Sequence, residues 1–352
     1  MSFIKKEFSN KKINLAGDYL ITSLQKNELD WAETVLNNFR GIHLYPMNTF
    51  QATLRRKVKK FDTYALISQR LKRAPSIIHK LTRFKGMQLS RMQDIGGLRA
   101  VLSDIENVYD LTKDYKESSF LHCLVNEKDY IKEPKESGYR GIHLIYKYEN
   151  PIAPEYNGLH LELQIRTKLQ HIWATSVETM GTFLKHSLKS SEGPKEWLEF
   201  FALTSSAFAH IENCELIPAY KNLDKIETFK LVTSEALRLN VRDRFQGFRI
   251  AANAIHKGET KGIFHLIVLD LDSKSVIVSS FSKIKIEEAN NEYSKVEERI
   301  QNGSNLQAVL VSTTSLDNLK KAYPSYFLDT ADFLSKLNFI KRQYEKTVKD
   351  IN

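Results

Sequence analysis

At 352 residues, with 42% hydrophobic and 27% charged side chains and only 14 Gly and 8 Pro, the chain is long enough for two cored domains. That composition is ordinary for a globular protein, which excludes disordered and fibrous classes, and two cysteines, Cys123 and Cys214, exclude a disulfide framework or a closely spaced zinc site and fit a reducing compartment. The net charge of +10 lies toward the amino terminus, where residues 1–93 hold 18 Lys+Arg against 6 Asp+Glu, and such asymmetry points to a polyanionic partner, either nucleotide phosphates or nucleic acid.

Along the chain, MSFIKKEFSNKK has lysines but no apolar run of signal-peptide length, and no stretch approaches the ~20 apolar residues of a membrane span, so a cytoplasmic protein without a membrane partner is expected. Residues 14–40 are predicted helical from the recurrence of Leu20, Ile21, Leu24, Leu29, Trp31 and Val35, and residues 47–85 continue in helical style with Pro75 in a first turn or at a break. On helical turns across RLKRAPSIIHK, Arg70, Ser76 and Lys80 share a broad face with Lys72 near its edge. A row of cations and a hydroxyl suits a polyphosphate. From Ile95 the texture becomes β-rich: GLRAVLSD, GIHLIYKYEN and LHLELQIRT, the last alternating Leu159, Leu161, Leu163 and Ile165 with His160, Glu162, Gln164 and Arg166. A helix follows from about Lys168, with Leu169, Ile172, Trp173, Ser176, Val177 and Met180 on one stripe, and another covers about 195–215.

Pro218 and the charged KNLDKIE mark a boundary, after which a helix near 231–256, the strand pair FHLIVLDLD and SVIVSSF, helix IEEANNEYSKVEERI, strand AVLVSTT and helices over 315–341 form a second α/β unit. That unit shows no Gly-rich phosphate loop and no acid/base cluster. The expected fold class is mixed α/β (α+β), a mixed sheet flanked by helices with a second, smaller α/β domain. The expected boundaries are a helical segment over 1–45, a main domain over 46–215 and an accessory, regulatory domain over 223–352, removable near Asn222 with a folded fragment remaining.

The series RxKxxxSxxxK, DIGGLR, DYIKEPKESGYRGIH and ELQIRT, in that order over roughly residues 50–180, closely resembles the synthetase domain of the RelA/SpoT proteins, which make the alarmone (p)ppGpp. The resemblance implies a nucleotidyltransferase-like sheet and Mg²⁺-dependent transfer of pyrophosphate from ATP to the 3′-hydroxyl of GDP or GTP, releasing AMP. It implies that Arg70 and Arg99 sandwich adenine while Lys72, Ser76 and Lys80 meet the ATP phosphates; a planar, weakly hydrated guanidinium suits the stacking. Asp94 is implied as a Mg²⁺ ligand, with Glu162 as second ligand or as the base that takes the hydroxyl proton. Tyr139 would stack on the acceptor base, with Lys135, Arg140, His143, Gln164 and Arg166 around the acceptor and its phosphates.

No histidine–HD hydrolase pattern precedes the domain, so the chain is expected to synthesise and not to degrade. Where the family often has Ser after GYR and a Glu-His pair on the next helix, this sequence has Gly141 and Glu178-Thr179, which leaves the acceptor open. A toxin-type reading, pyrophosphorylation of the 3′ end of tRNA with the carboxy-terminal domain as inhibitor or sensor, shares every motif. An inactive nucleotide- or RNA-binding module is the third reading, and assembly into a homo-oligomer is compatible with all three.

Overall fold

The computed structural model describes residues 3–351 apart from 185, 187, 189–190, 257–261, 271, 274 and 314–325. It divides into two compact units, one of residues 1–132 and 140–168, the other of residues 133–139 and 169–352.

The first unit begins with α1 (Asn10–Thr22), α2 (Lys26–Gly41) and α3 (Leu44–Val58). The single helix expected over 14–40 is two, because extended Ser23 stops α1 and its hydroxyl accepts from the Gln25 N–H while donating to Glu28. The helical expectation for 47–85 also fails in its middle, where residues Leu66–Leu71 form an edge strand, β1, before α4 (Ala74–Arg83) starts with Pro75 in its first turn. Pairing decides this: β1 runs antiparallel to β2 (Gly96–Leu102) with Arg70 opposite Gly97, and a six-residue run exposed on one edge carries too weak a period to declare itself. Arg70 therefore does not share a helical face with Ser76 and Lys80.

After α5 (Ile105–Glu117) come β3 (Cys123–Asp129), β4 (Ile142–Lys147) and β5 (His160–Thr167). The sheet order is β1-β2-β5-β4-β3, with β2 and β5 parallel and the other pairs antiparallel, a mixed sheet as the sequence leads one to expect. The strict alternation of β5 buries Leu161, Leu163 and Ile165 on one face, where Met47 and Phe50 of α3 and Tyr115 of α5 also lie buried. Phe50, Tyr115, Phe120 and Tyr146 pack ring on ring at centroid distances of 5.0–6.0 Å, aromatic contacts that add to the burial of large apolar area. One face is thus fixed apolar, which commits the other to the polar residues.

The second unit holds α6 (Lys168–Leu184), α7 (Lys195–Glu212), α8 (Lys225–Arg238) and α9 (Val241–His256), then β6 (Phe264–Asp270), β7 (Ser275–Phe281), α10 (Ile286–Gln301), β8 (Leu306–Ser312) and α11 (Tyr326–Ile351). The apolar stripe predicted for α6 is instead burial on nearly every side, from Leu169 through Met180, and Thr175 and Thr179 satisfy their hydroxyls on carbonyls one turn back. The helix expected over 231–256 is also two, broken where Asn240 takes the left-handed conformation, φ 48°, that asparagine tolerates. The second half of KNLDKIE opens α8, where Asp224 caps the helix in a reciprocal box with Glu227.

The small antiparallel sheet runs β7-β6-β8, and Leu266, Val268, Phe281, Leu306 and Leu310 pack with Ala289 of α10. Asp270 accepts the N–H groups of Asp272 and Ser273 in the turn after β6. Of the helices expected over 315–341, residues 314–325 lie outside the described residues and α11 extends to Ile351. Phe333 of α11, fully buried, meets Phe201 and Phe208 of α7 and Phe245 of α9 at 5.5–6.0 Å. This aromatic core crosses the boundary expected between 215 and 223. No described helix is long and apolar enough to cross a membrane.

Candidate active site

Residues directly opposite in a sheet share a face, so the strand registers assemble the site before any side-chain contact is considered. Ser68, Arg99, Gln164 and His143 stand in one row across β1, β2, β5 and β4, and Arg70, Gly97, Glu162 and Ile145 in the next. Gly97 has no side chain, so the surface beside Glu162 is open on that strand. Arg166 follows on the same face but is fully buried, unlike the exposed polar position that alternation predicts.

Side chains along these rows are chained together. Arg99 donates through Nε and Nη2 to Gln164 Oε1, both at 3.3 Å, and Gln164 Nε2 donates to Glu162 Oε2 at 2.8 Å. Glu162 Oε1 lies 2.8 Å from His143 Nδ1, and the Tyr130 ring stands edge-on to the imidazole at 5.3 Å. Burial alone would push the Glu162 carboxyl upward. The charge and hydrogen bond of His143, the Gln164 amide and the charge of Lys72 outweigh it and hold the pKa at about 2. Glu162 is therefore a fixed negative charge at neutral pH.

A second cluster lies at the entrance to β2. Lys72 Nζ is 2.8 Å from Asp94 Oδ2, and Lys80 Nζ is 3.0 Å from Asp94 Oδ1, so two lysines grip one half-buried carboxylate. The backbone of Lys72 is pinned from both sides, its N–H donating to Ile95 O at 2.8 Å and its carbonyl accepting from Arg40 Nε at 2.9 Å. Arg40 lies in the last turn of α2, away from every motif, and no local pattern in the sequence marks it. Ser76 sits half-buried in the first turn of α4.

The structure thus brings Lys72, Lys80 and Asp94 together, and separately Arg99, Gln164, Glu162 and His143, with Lys72 acting electrostatically on Glu162. Arg70 joins them by strand register. Arg140 is buried and donates to Ile131 O at 3.4 Å, a main-chain contact that shapes the loop after β3. Lys132 lies with its ammonium 5.2 Å from the Tyr109 ring centroid. Lys135 and Tyr139 belong to the second unit, where the Lys135 ammonium stands 5.4 Å from the centroid of the buried Tyr139 ring. Tyr139 is in a turn and not in a strand, its carbonyl accepting from the Lys135 N–H.

Two carboxylates amid Lys, Arg and His form an oxygen donor set suited to a hard divalent cation. Among the described residues no group of three or more His, Cys, Asp or Glu stands together.

Residues 69–183 match the model of the region found in RelA/SpoT proteins. The GTP pyrophosphokinase YwaC of Bacillus subtilis is 34% identical over 112 residues, 30% of this chain and 52% of that protein. The GTP pyrophosphokinase YjbM of the same organism is 33% identical over 112 residues, 31% of this chain and 52% of that protein. The chain thus spans about half the length of the curated relatives it matches. Among solved structures, small alarmone synthetase 1 from Bacillus subtilis bound to its product pppGpp is 25% identical, with a TM-score of 0.41 over 49% of this chain and 91% of that one. A GTP pyrophosphokinase family protein from Streptococcus pneumoniae is 21% identical, with a TM-score of 0.43 over 57% and 97%.

Proposed function

We propose that this chain, which carries the RelA/SpoT region over residues 69–183, transfers pyrophosphate from ATP to the 3′-hydroxyl of GDP or GTP. The observation that carries the reading is the polar sheet face: a Glu162 carboxylate locked in its charged form beside a Lys72–Asp94–Lys80 cluster, where the charge of triphosphate and metal would meet.

In the reaction the 3′-oxygen bonds to the β-phosphorus of ATP, the bond from that phosphorus to the α–β bridging oxygen breaks, and AMP departs with that oxygen. Such transfers need alignment and neutralisation of spreading negative charge more than covalent help from protein. Lys72 and Lys80 supply mobile positive charge, and on binding ATP they exchange a carboxylate partner for phosphate oxygens. Asp94 and Glu162 would hold Mg²⁺, which supplies charge neutralisation at the phosphates when bound. Glu162, held charged by His143, Gln164 and Lys72, would serve as second ligand to Mg²⁺ or as the base that takes the 3′-hydroxyl proton. Arg70 and Arg99 offer the flat cations for adenine, and Lys135, Tyr139, Arg140, His143, Gln164 and Arg166 the acceptor side, as the family resemblance assigns them.

The amino-terminal basic excess, 18 Lys+Arg against 6 Asp+Glu over residues 1–93, favours a second acceptor, the 3′ end of tRNA. Purified protein incubated with γ-labelled ATP and, separately, GDP, GTP and bulk tRNA distinguishes the two. Label on the guanosine nucleotide supports the first reading, label on tRNA replaces it with the second, and no transfer to either overturns both.

A further inference from the structure

We propose that Ser205 of α7, which lies beyond the matched region, is a positioning residue for the acceptor: it holds the turn that carries Lys135 and Tyr139. The proposal rests on the reading of Tyr139 as the platform for the acceptor base.

The segment Glu133–Tyr139 folds back on itself through the Gly138 N–H to Lys135 O bond, 2.8 Å, and the Lys135 N–H to Tyr139 O bond, 3.3 Å. These bonds set the local shape but not where the turn stands. Its footing is the Ser205 hydroxyl, which donates to Gly138 O at 2.6 Å from a buried position in the middle of α7. Gly138 has φ +92°, a conformation that side chains avoid, and a Cβ there would come within 2.8 Å of Ser205 Cβ, 2.9 Å of Trp173 Cζ2 and 3.2 Å of Ala202 Cα. Glycine is therefore required on two independent grounds, strain and space, and both serve the close approach of this turn to α6 and α7.

Trp173, which α6 periodicity alone marks as core, is in turn tied to α7 by its indole N–H, donating to Phe201 O at 2.8 Å. Trp173, Ala202 and Ser205 form one fixed seat, and the residue after the seated glycine is Tyr139. Lys135 is exposed, and its ammonium stands over the Tyr139 ring at 5.4 Å from the centroid. An aromatic platform recognises a base only if the ring is held in place before the base arrives, and Ser205 supplies that hold.

The test is Ser205→Ala in the full chain, with Gly138→Ala as a second variant, assayed for pyrophosphate transfer with ATP and guanosine nucleotide varied in turn. Ser205→Ala should raise the acceptor KM about 3- to 10-fold, as loss of one hydrogen bond implies, with the KM for ATP within about 2-fold of wild type. Gly138→Ala should raise it further in the same selective way. Hydrogen exchange should quicken at the Lys135 and Gly138 amides in Ser205→Ala, whereas α4 amides keep wild-type protection. An unchanged acceptor KM, or equal rises for both substrates, overturns the assignment of Ser205. A wild-type chain that transfers nothing to GDP or GTP overturns the functional reading itself, and the proposal with it.

Discussion

Glu162 is held charged by partners on three sides: the imidazole of His143, the amide of Gln164 and the ammonium of Lys72. Its pKa is depressed from 4.5 to about 2, so the stability it contributes is complete above about pH 4.5 and is lost as pH falls toward 2. Wild type should therefore lose more stability than Glu162→Gln between pH 4.5 and 2; parallel urea titrations would refute the assignment. The same variant keeps the shape and removes the charge, and transfer should fall by at least ~10² in a single-turnover assay. Arg40 acts one step further out. Arg40→Ala removes the donor to the Lys72 carbonyl, which should raise the KM for ATP about 5-fold, roughly 1 kcal/mol, with acceptor KM unchanged. Neither Arg40 nor Ser205 could be found from sequence, since each acts through a main-chain carbonyl that any residue type would present. The place of Glu162 on the polar side of an alternating strand is legible in the sequence, whereas the meeting of Asp94 with Lys72 and Lys80 depends on how β1 and α4 fold around it.

Among the elements, β5 was legible and β1 was not, for one physical reason. β5 is a central strand whose two faces meet different surroundings, so its pattern is strictly two-periodic, whereas β1 is an edge strand with little burial to impose a pattern. The consequence for the site was specific: Arg70 moved from a helical face shared with Ser76 to a sheet row shared with Gly97 and Glu162. The helix breaks at Ser23 and Asn240 carry neither glycine nor proline, so local composition does not announce them. Asp224→Ala deletes one half of the Asp224–Glu227 box and should lower stability by about 1 kcal/mol, visible as a lower urea midpoint with an unchanged slope.

At the scale of the whole molecule, the region beyond residue 222 shares an aromatic core with α7. Phe333 joins Phe201 and Phe208 of α7 to Phe245 of α9, and Phe229 and Val232 of α8 are fully buried. Cutting at Asn222 would strip α8, α9 and α11 from this core and bare a large apolar surface, so the fragment should aggregate on size-exclusion chromatography instead of staying folded. A monodisperse, helical fragment would show that α7 can close without them. Phe333→Ala tests the same point in the intact chain and should cost about 3–5 kcal/mol in denaturant unfolding.

Phe333 also sets an order of events during synthesis. At 5–20 residues per second, the ribosome takes on the order of ten seconds to travel from Ser205 to Phe333. During that interval β5, which bears Glu162, and the segment before β2, which bears Asp94, have been made, while α7, against which the Gly138 turn sits, still lacks its closing ring. Until residue 333 has been added, a nascent chain holds α7 with its aromatic side open, so the last-made helix is the one that closes the core.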